Sequence, residues 1–230
     1  MVSVWKNAGL DKMSYRSIFF NAEKQDNTVC ISLSLRGAVA GRLPLLEISE
    51  KYVIDADGAI CLTVNYHPLR EMDFYLPRIG ITMMLSSGFD RLCWYGRGPH
   101  ESYPDKKESA YFGLHSCMVD DTHEPYIRPQ ENGAHEDTAM FSLTDPNGAC
   151  MTVAGSAFSF STHHYTPEML TAAAHDFELK RIQEICVCID GAMGGLGSNS
   201  CGPEPEEKYR LFLKKDIAFS YRFTFQNKQH

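Results

Sequence analysis

From Ile217 to Phe225 every second residue is large and apolar: Ile217, Phe219, Tyr221, Phe223 and Phe225, with Ala218, Ser220, Arg222 and Thr224 between them. Successive side chains of a β-strand face opposite ways, so this period of two marks a strand with one face buried. Val29-Cys30-Ile31-Ser32-Leu33-Ser34-Leu35 and Ile60-Cys61-Leu62-Thr63-Val64-Asn65-Tyr66 repeat the pattern. Turn formers punctuate the runs: Asp55-Ala56-Asp57-Gly58, Ser86-Ser87-Gly88 and Asp145-Pro146-Asn147-Gly148. Such residues supply positive φ or fix φ near a turn value. About a dozen strand-like segments at this spacing predict an all-β fold, a large antiparallel sandwich. Only one segment reads as a helix, with Thr166 as its cap and Pro167 in its first turn. Neither repeats nor a linker divide the chain, so residues 1–230 are expected to form one domain.

A chain of 230 residues can bury enough surface to hold a core without disulfides or metal. With 43% hydrophobic and 22% charged residues, global disorder is excluded. The formal charge is -7, and Lys and Arg never cluster beyond pairs such as Lys106-Lys107. Nucleic acids and anionic membranes, which need a concentrated basic surface, are therefore not expected as partners. No apolar run approaches the ~20 residues that span a bilayer. The opening Met1-Val2-Ser3-Val4-Trp5-Lys6 is not a signal peptide, which leaves the compartment open between cytoplasm and periplasm. The 8 cysteines are scattered without a C-x-x-C pair, which predicts reduced structural thiols and no metal site. His163 and His164, being adjacent on a strand, point opposite ways and cannot share a metal without a bulge.

The expected irregular segments are 96–109, 120–137 and 190–206, and each carries a motif. In Trp94-Tyr95-Gly96-Arg97-Gly98-Pro99-His100-Glu101-Ser102-Tyr103-Pro104-Asp105, two aromatics and two carboxylates suit a sugar-contacting loop. They equally suit a structural turn in which Glu101 and Asp105 accept backbone N–H groups. In Tyr126-Ile127-Arg128-Pro129-Gln130-Glu131-Asn132-Gly133, Glu131 could pair with Glu101 for glycoside hydrolysis, which needs carboxylates roughly 5–10 Å apart. Alternatively it braces the loop. The five glycines of Ile189-Asp190-Gly191-Ala192-Met193-Gly194-Gly195-Leu196-Gly197-Ser198-Asn199-Ser200-Cys201-Gly202-Pro203 fit neither a Rossmann nor a P-loop spacing, leaving a surface loop.

Taken in order, these stretches resemble the C-terminal (small-chain, fifth) domain of family 2 β-galactosidases. The 94–105 stretch is similar to its "WxGxGPxExYPD", Pro129–Gly133 to "PxENG", and Ile189-Asp190-Gly191 with Gly194 and Gly197 to "IDGxxxGxG". Leu76–Gly80 is similar to "LPRxG" and Trp5–Gly9 to "WKxAG", so the resemblance runs from Trp5 to Phe225. It implies a large antiparallel supersandwich related to the galactose mutarotase fold. It also implies that the catalytic glutamates, and the Mg and Na ions, lie on other domains of a retaining hydrolase, above all its (β/α)8 barrel. Neither Glu101 nor Glu131 takes over those roles, and the chain itself holds no cofactor.

By the same resemblance, the domain supplies one wall of a β-galactoside pocket through Asn199, Ser200 and Cys201. Where well-studied members carry a Trp that stacks on the sugar, this chain has Cys201. The resemblance also places the start of the chain just after the family's "RAPxDND" strand, so one edge strand is expected to be missing. An open edge of this kind favours homo-oligomers. Two rival readings remain: a free-standing mutarotase-like enzyme, with a His acid facing a Glu or Asp base, and an independent carbohydrate-binding module.

Overall fold

The computed structural model describes residues 2–197 and 204–227. Among them run eleven strands: β1 (Met13–Gln25), β2 (Thr28–Val39), β3 (Leu46–Ile54), β4 (Ile60–Pro68), β5 (Arg78–Leu85) and β6 (Arg91–Gly98), then β7 (Tyr111–Met118), β8 (His135–Thr144), β9 (Cys150–His163), β10 (Ile185–Met193) and β11 (Ile217–Gln226). The alternation over 217–225 lies in β11, with Tyr221 and Phe223 buried and Ser220 and Arg222 at the surface. All strand pairings are antiparallel, in the order β1-β2-β3-β4-β11-β9-β8-β6-β7.

One strand makes the sheet branch. The first half of β9 pairs with β11, Gly155 opposite Tyr221, whereas its second half pairs with β10, Ser161 opposite Cys188. Between the halves Ala157 sits at φ 24°, where the strand turns from one neighbour to the other. β10 then carries β5 on its far side. The branch folds the sheet into two layers whose inward side chains form one core: Ile48, Val64, Trp94, Phe141, Phe160, Ile189 and Tyr221 belong to it. Phe141 and Phe160 stack with centroids 4.4 Å apart. Each such fully buried side chain contributes roughly 1.5–3 kcal/mol by leaving water.

The three turn signals lie at connections, with Gly58, Gly88 and Gly148 at φ 83°, 100° and 89°. The helix expected near 166 is α2 (Pro167–Ala172), and the Thr166 hydroxyl accepts the Met169 N–H at 3.3 Å. The expectation of a single helix is corrected, because Val2–Ala8 is helical as well. Its end is marked by Gly9 at φ 80°, the left-handed position that glycine takes after a last helical turn. Trp5 anchors it, donating its indole N–H to the Tyr75 carbonyl at 2.6 Å. Among the described residues no helix is long and apolar enough to cross a membrane.

Candidate functional site

The motif loops meet at one end of the sandwich, where β5 begins and β10 finishes. Arg78 opens β5 and Asp190 lies near the end of β10, with Gly80 directly opposite Asp190. The register slips between Asp190 and Ala192. At this bulge a side chain on Gly191 would collide with the Phe219 ring, so only glycine fits. Arg78 donates to Asp190 at 3.3 Å and to the Glu131 carboxylate. Burial pushes the Asp190 carboxyl up to about 8, against the opposing pull of Arg78. One guanidinium thus serves two carboxylates, joining the "LPRxG", "PxENG" and "IDG" stretches into a single knot.

The 124–133 loop is fixed from both sides. Asn132, 1% exposed, takes the Glu124 N–H at 2.9 Å and donates to the Glu124 carbonyl at 2.7 Å. Glu101 accepts from the Tyr103 hydroxyl at 3.0 Å, from the Gly133 N–H at 2.9 Å and from the Tyr126 hydroxyl. Gly133 stands at φ 62°, with the Thr122 carbonyl 2.5 Å from where a Cβ would sit. Three protein donors therefore already occupy most of the lone pairs that Glu101 could direct at a sugar. Tyr103 is fully buried, and burial with Glu101 beside it holds its hydroxyl well above the ordinary tyrosine value.

Trp94 belongs to the core, 1% exposed, with its indole N–H donated to the Arg97 carbonyl at 2.9 Å and its ring 4.3 Å from that of His135. It offers no flat face to a ligand. Gly98 lies against it, a Cβ there falling 2.7 Å from the indole edge, and Pro99 then starts the loop that carries half-buried Pro104. Tyr95, beside Trp94, points outward and is exposed.

Asp105 reaches the third motif. Its carboxylate accepts the N–H groups of Leu196 at 3.0 Å and Gly197 at 2.7 Å. Gly194 and Gly195 donate to the carbonyls of Pro77 and Tyr209 at 2.9 Å and 2.8 Å, so the stem of the glycine-rich loop is held on both flanks. Asn199, Ser200 and Cys201 lie outside the described residues.

Three participants went unrecognised in the sequence. Arg78 is separated by 53 residues from Glu131 and by 112 from Asp190, so no local spacing announces the knot. Asp137, at φ 52°, takes Arg97 Nε at 2.6 Å and Lys107 at 3.0 Å, which fixes the base of the 99–110 loop. Glu136 has a buried Oε1 with no hydrogen-bond partner, and burial pushes its carboxyl up to about 7.

These carboxylates do not compose a metal site. Asp190 and Glu131 are committed to Arg78, Glu101 and Asp105 to N–H and O–H donors, and no group of three or more His, Cys, Asp or Glu among the described residues could hold an ion. His163 and His135 are buried, which lowers them to about 4 and about 3, so both rings are neutral near pH 7. His163 and His164 contact different partners, the Asn132 carbonyl and Asp90. What the arrangement does chemically is hold three loops rigidly together beside the stem of a fourth.

The family model described as "Beta galactosidase small chain" matches residues 1–225. The β-galactosidase of Staphylococcus xylosus is 38% identical over 222 residues, covering 96% of this chain and 22% of that protein. The β-galactosidase of Actinobacillus pleuropneumoniae is 33% identical over 223 residues, 95% of this chain and 21% of its own length. The chain thus spans about a fifth of the length of these curated relatives. Among solved structures, galactose 1-epimerase from Lactobacillus acidophilus superposes with a TM-score of 0.53 at 8% identity, over 91% of this chain and 66% of that one. At that identity the likeness concerns the fold, a mutarotase-like supersandwich.

Proposed function

The chain belongs to the β-galactosidase small-chain family, and from that premise we propose that it is the non-catalytic C-terminal β-sandwich of a β-galactosidase. In this reading the whole protein hydrolyses terminal β-D-galactose residues with retention, through two glutamates on another domain. Mg and Na, where the resemblance assigns them, are likewise held by other domains, since the donors here are already committed. The role of this chain is to hold a loop against the sugar pocket and to support the catalytic barrel.

The observation that carries the reading is the use made of the motif carboxylates. Retaining hydrolysis needs one carboxylate free to attack and one free to donate a proton. Glu131 is ion-paired to Arg78, and Glu101 accepts three hydrogen bonds from the protein itself. Groups so occupied are suited to positioning, and together they fix the 124–133 loop, while Asp105 holds the stem of the glycine-rich loop at Leu196 and Gly197. The pocket wall itself is the task we assign to Asn199, Ser200 and Cys201.

The test is hydrolysis of an aryl β-galactoside by highly purified chain and by the full-length enzyme. The chain alone is expected to show none, and the full-length enzyme to be active. Turnover by the chain alone that Glu101→Gln or Glu131→Gln abolished would overturn the reading.

A further inference from the structure

The outer face of β10 carries two thiols. Ile185, Val187 and Ile189 point into the core, so Cys186 and Cys188, alternating with them, share the opposite face. Both are nonetheless buried, each 3% exposed, under the 124–133 loop and α2. In the register Cys188 lies between Thr82 of β5 and Ser161 of β9, and Cys186 between Met84 and His163. Against them is a small cavity of about 50 Å³, lined by Arg78, Gln130, His163, Thr171, Cys186 and Cys188 among others. Gln130 and Thr171 are exposed, which puts the mouth of the cavity between the loop and the helix.

A cysteine buried in apolar surroundings keeps its proton, as Cys117 does, where burial pushes the thiol up to about 11. Cys188 stands among donors instead. The Cys186 thiol donates to it, the Arg78 guanidinium is beside it, and the Thr82 hydroxyl is 3.7 Å from its sulfur. Against the cost of burial these lower Cys188 to about 6, whereas the shared hydrogen bond and burial raise Cys186. One thiol of the pair carries the charge and the other holds the proton. The opposing carboxylate, Glu131, is ion-paired to Arg78, and Asp190, raised to about 8, is protonated near pH 7. His163 adds an acceptor. Its Nε2 donates to the Asn132 carbonyl at 2.8 Å, which leaves the buried Nδ1 as a lone pair without a donor.

We propose that Cys188 is a modification site for hydrogen peroxide, which enters this cavity and converts the sulfur to a sulfenic acid. Size sets the class of reagent. One water occupies ~30 Å³ of the liquid, so a cavity of about 50 Å³ holds two oxygens and excludes bulky electrophiles. The Cys188 thiolate attacks one peroxide oxygen, and the S–O bond forms as the O–O bond breaks. The departing hydroxide takes a proton from solvent and leaves as water. Sulfur is oxidised by two electrons and the peroxide is reduced. His163 Nδ1 orients the peroxide by accepting one of its hydroxyl hydrogens.

The experiment exposes the native protein, as the full-length polypeptide that carries this chain, to limiting hydrogen peroxide and counts the remaining thiols by peptide mass spectrometry. Near pH 7 the Cys188 thiol is expected to be lost at least about ten-fold faster than that of Cys117, and to be restored by a thiol reductant. Its rate should reach half its plateau at about pH 6. Cys186→Ser keeps a hydrogen-bond donor and removes the neighbouring thiol, so there the acid should accumulate and be trapped on Cys188 by dimedone. Cys186→Ala should shift the half-maximum upward toward the ordinary thiol value. N-phenylmaleimide, too large for the cavity, should leave Cys188 unlabelled in the native protein. Melting curves confirm that each variant is folded. An intact Cys188 thiol after Cys117 has been oxidised would overturn the proposal, as would maleimide labelling of Cys188 as fast as peroxide oxidises it, or a pH profile that Cys186→Ala leaves in place.

Discussion

The Asp105 carboxylate accepts the Gly197 N–H at 2.7 Å, across 92 residues of sequence. Its other oxygen takes the neighbouring Leu196 N–H at 3.0 Å. Two hydrogen bonds accepted by one carboxylate therefore join the loop after β6 to the stem of the glycine-rich loop. A hydrogen bond to a charged group contributes about 1.5–3 kcal/mol, and solvent screening at half-buried Asp105 keeps the two together within about that range. Asp105→Ala is expected to lower unfolding stability by about 1–3 kcal/mol, and Asp105→Asn by less, since the amide oxygen can still accept one bond. Urea unfolding of the chain checks this, and equal midpoints for all three proteins would show the contacts to be inconsequential.

Arg78 is the partner whose loss should be worst. Above about pH 8, where the Asp190 carboxyl is ionised, removing Arg78 leaves it, 3% exposed, without its counter-charge, and breaking a buried pair this way costs about 3–5 kcal/mol. Arg78→Met should therefore be strongly destabilising. Arg78→Met combined with Asp190→Asn should recover part of the loss, because the buried charge goes with its partner. A double-mutant cycle by urea unfolding measures the coupling, and strict additivity would count against the pairing.

Glu136 makes stability depend on pH. Burial raises its folded value from 4.5 to about 7, so folding favours the protonated carboxyl. That contribution is full below about 4.5 and is lost as pH rises through about 7. Glu136→Gln, neutral throughout, should be more stable than the parent chain at pH 8 and differ little at pH 5. Asp190, raised to about 8 by burial, contributes a second decline with the same sign that this variant leaves in place. Unfolding midpoints at the two pH values decide it, and an unchanged difference in Glu136→Gln would exclude this carboxyl as the source.

Cys201 lies outside the described residues, and the prediction for it rests on the resemblance. A thiol has no π-face, so restoring an indole in the full-length enzyme should alter how the sugar is held. Cys201→Trp is expected to change KM or the preference among galactosides by about 2- to 13-fold, the equivalent of an aromatic contact worth ~0.5–1.5 kcal/mol. Folding should be nearly untouched. Identical kinetics on several galactosides would remove Cys201 from the pocket wall.

The sequence by itself determined the local structure. Alternation over 217–225 gives a strand whatever its neighbours, because the period of two is a property of extended backbone. Asp55–Gly58 gives a turn because glycine alone takes φ 83° freely, and Thr166-Pro167 starts a helix through one hydroxyl and one fixed φ. Even the helix missed over Val2–Ala8 had its signal in Gly9. What only the tertiary structure decided is everything that depends on distance in space between residues far apart in the chain. That β9 divides its two edges among β8, β10 and β11, so that the sheet branches, follows from packing two layers on one core, and no residue pattern within Cys150–His163 announces it. That Arg78 meets Glu131 and Asp190, while Glu101 is spent on Tyr103, Tyr126 and Gly133, follows from the register of β5 on β10 and from how the loops cross above it. A carboxylate's sequence neighbours set its position along the chain, but its charge state and its freedom to react are set by the donors and the burial that folding brings to it.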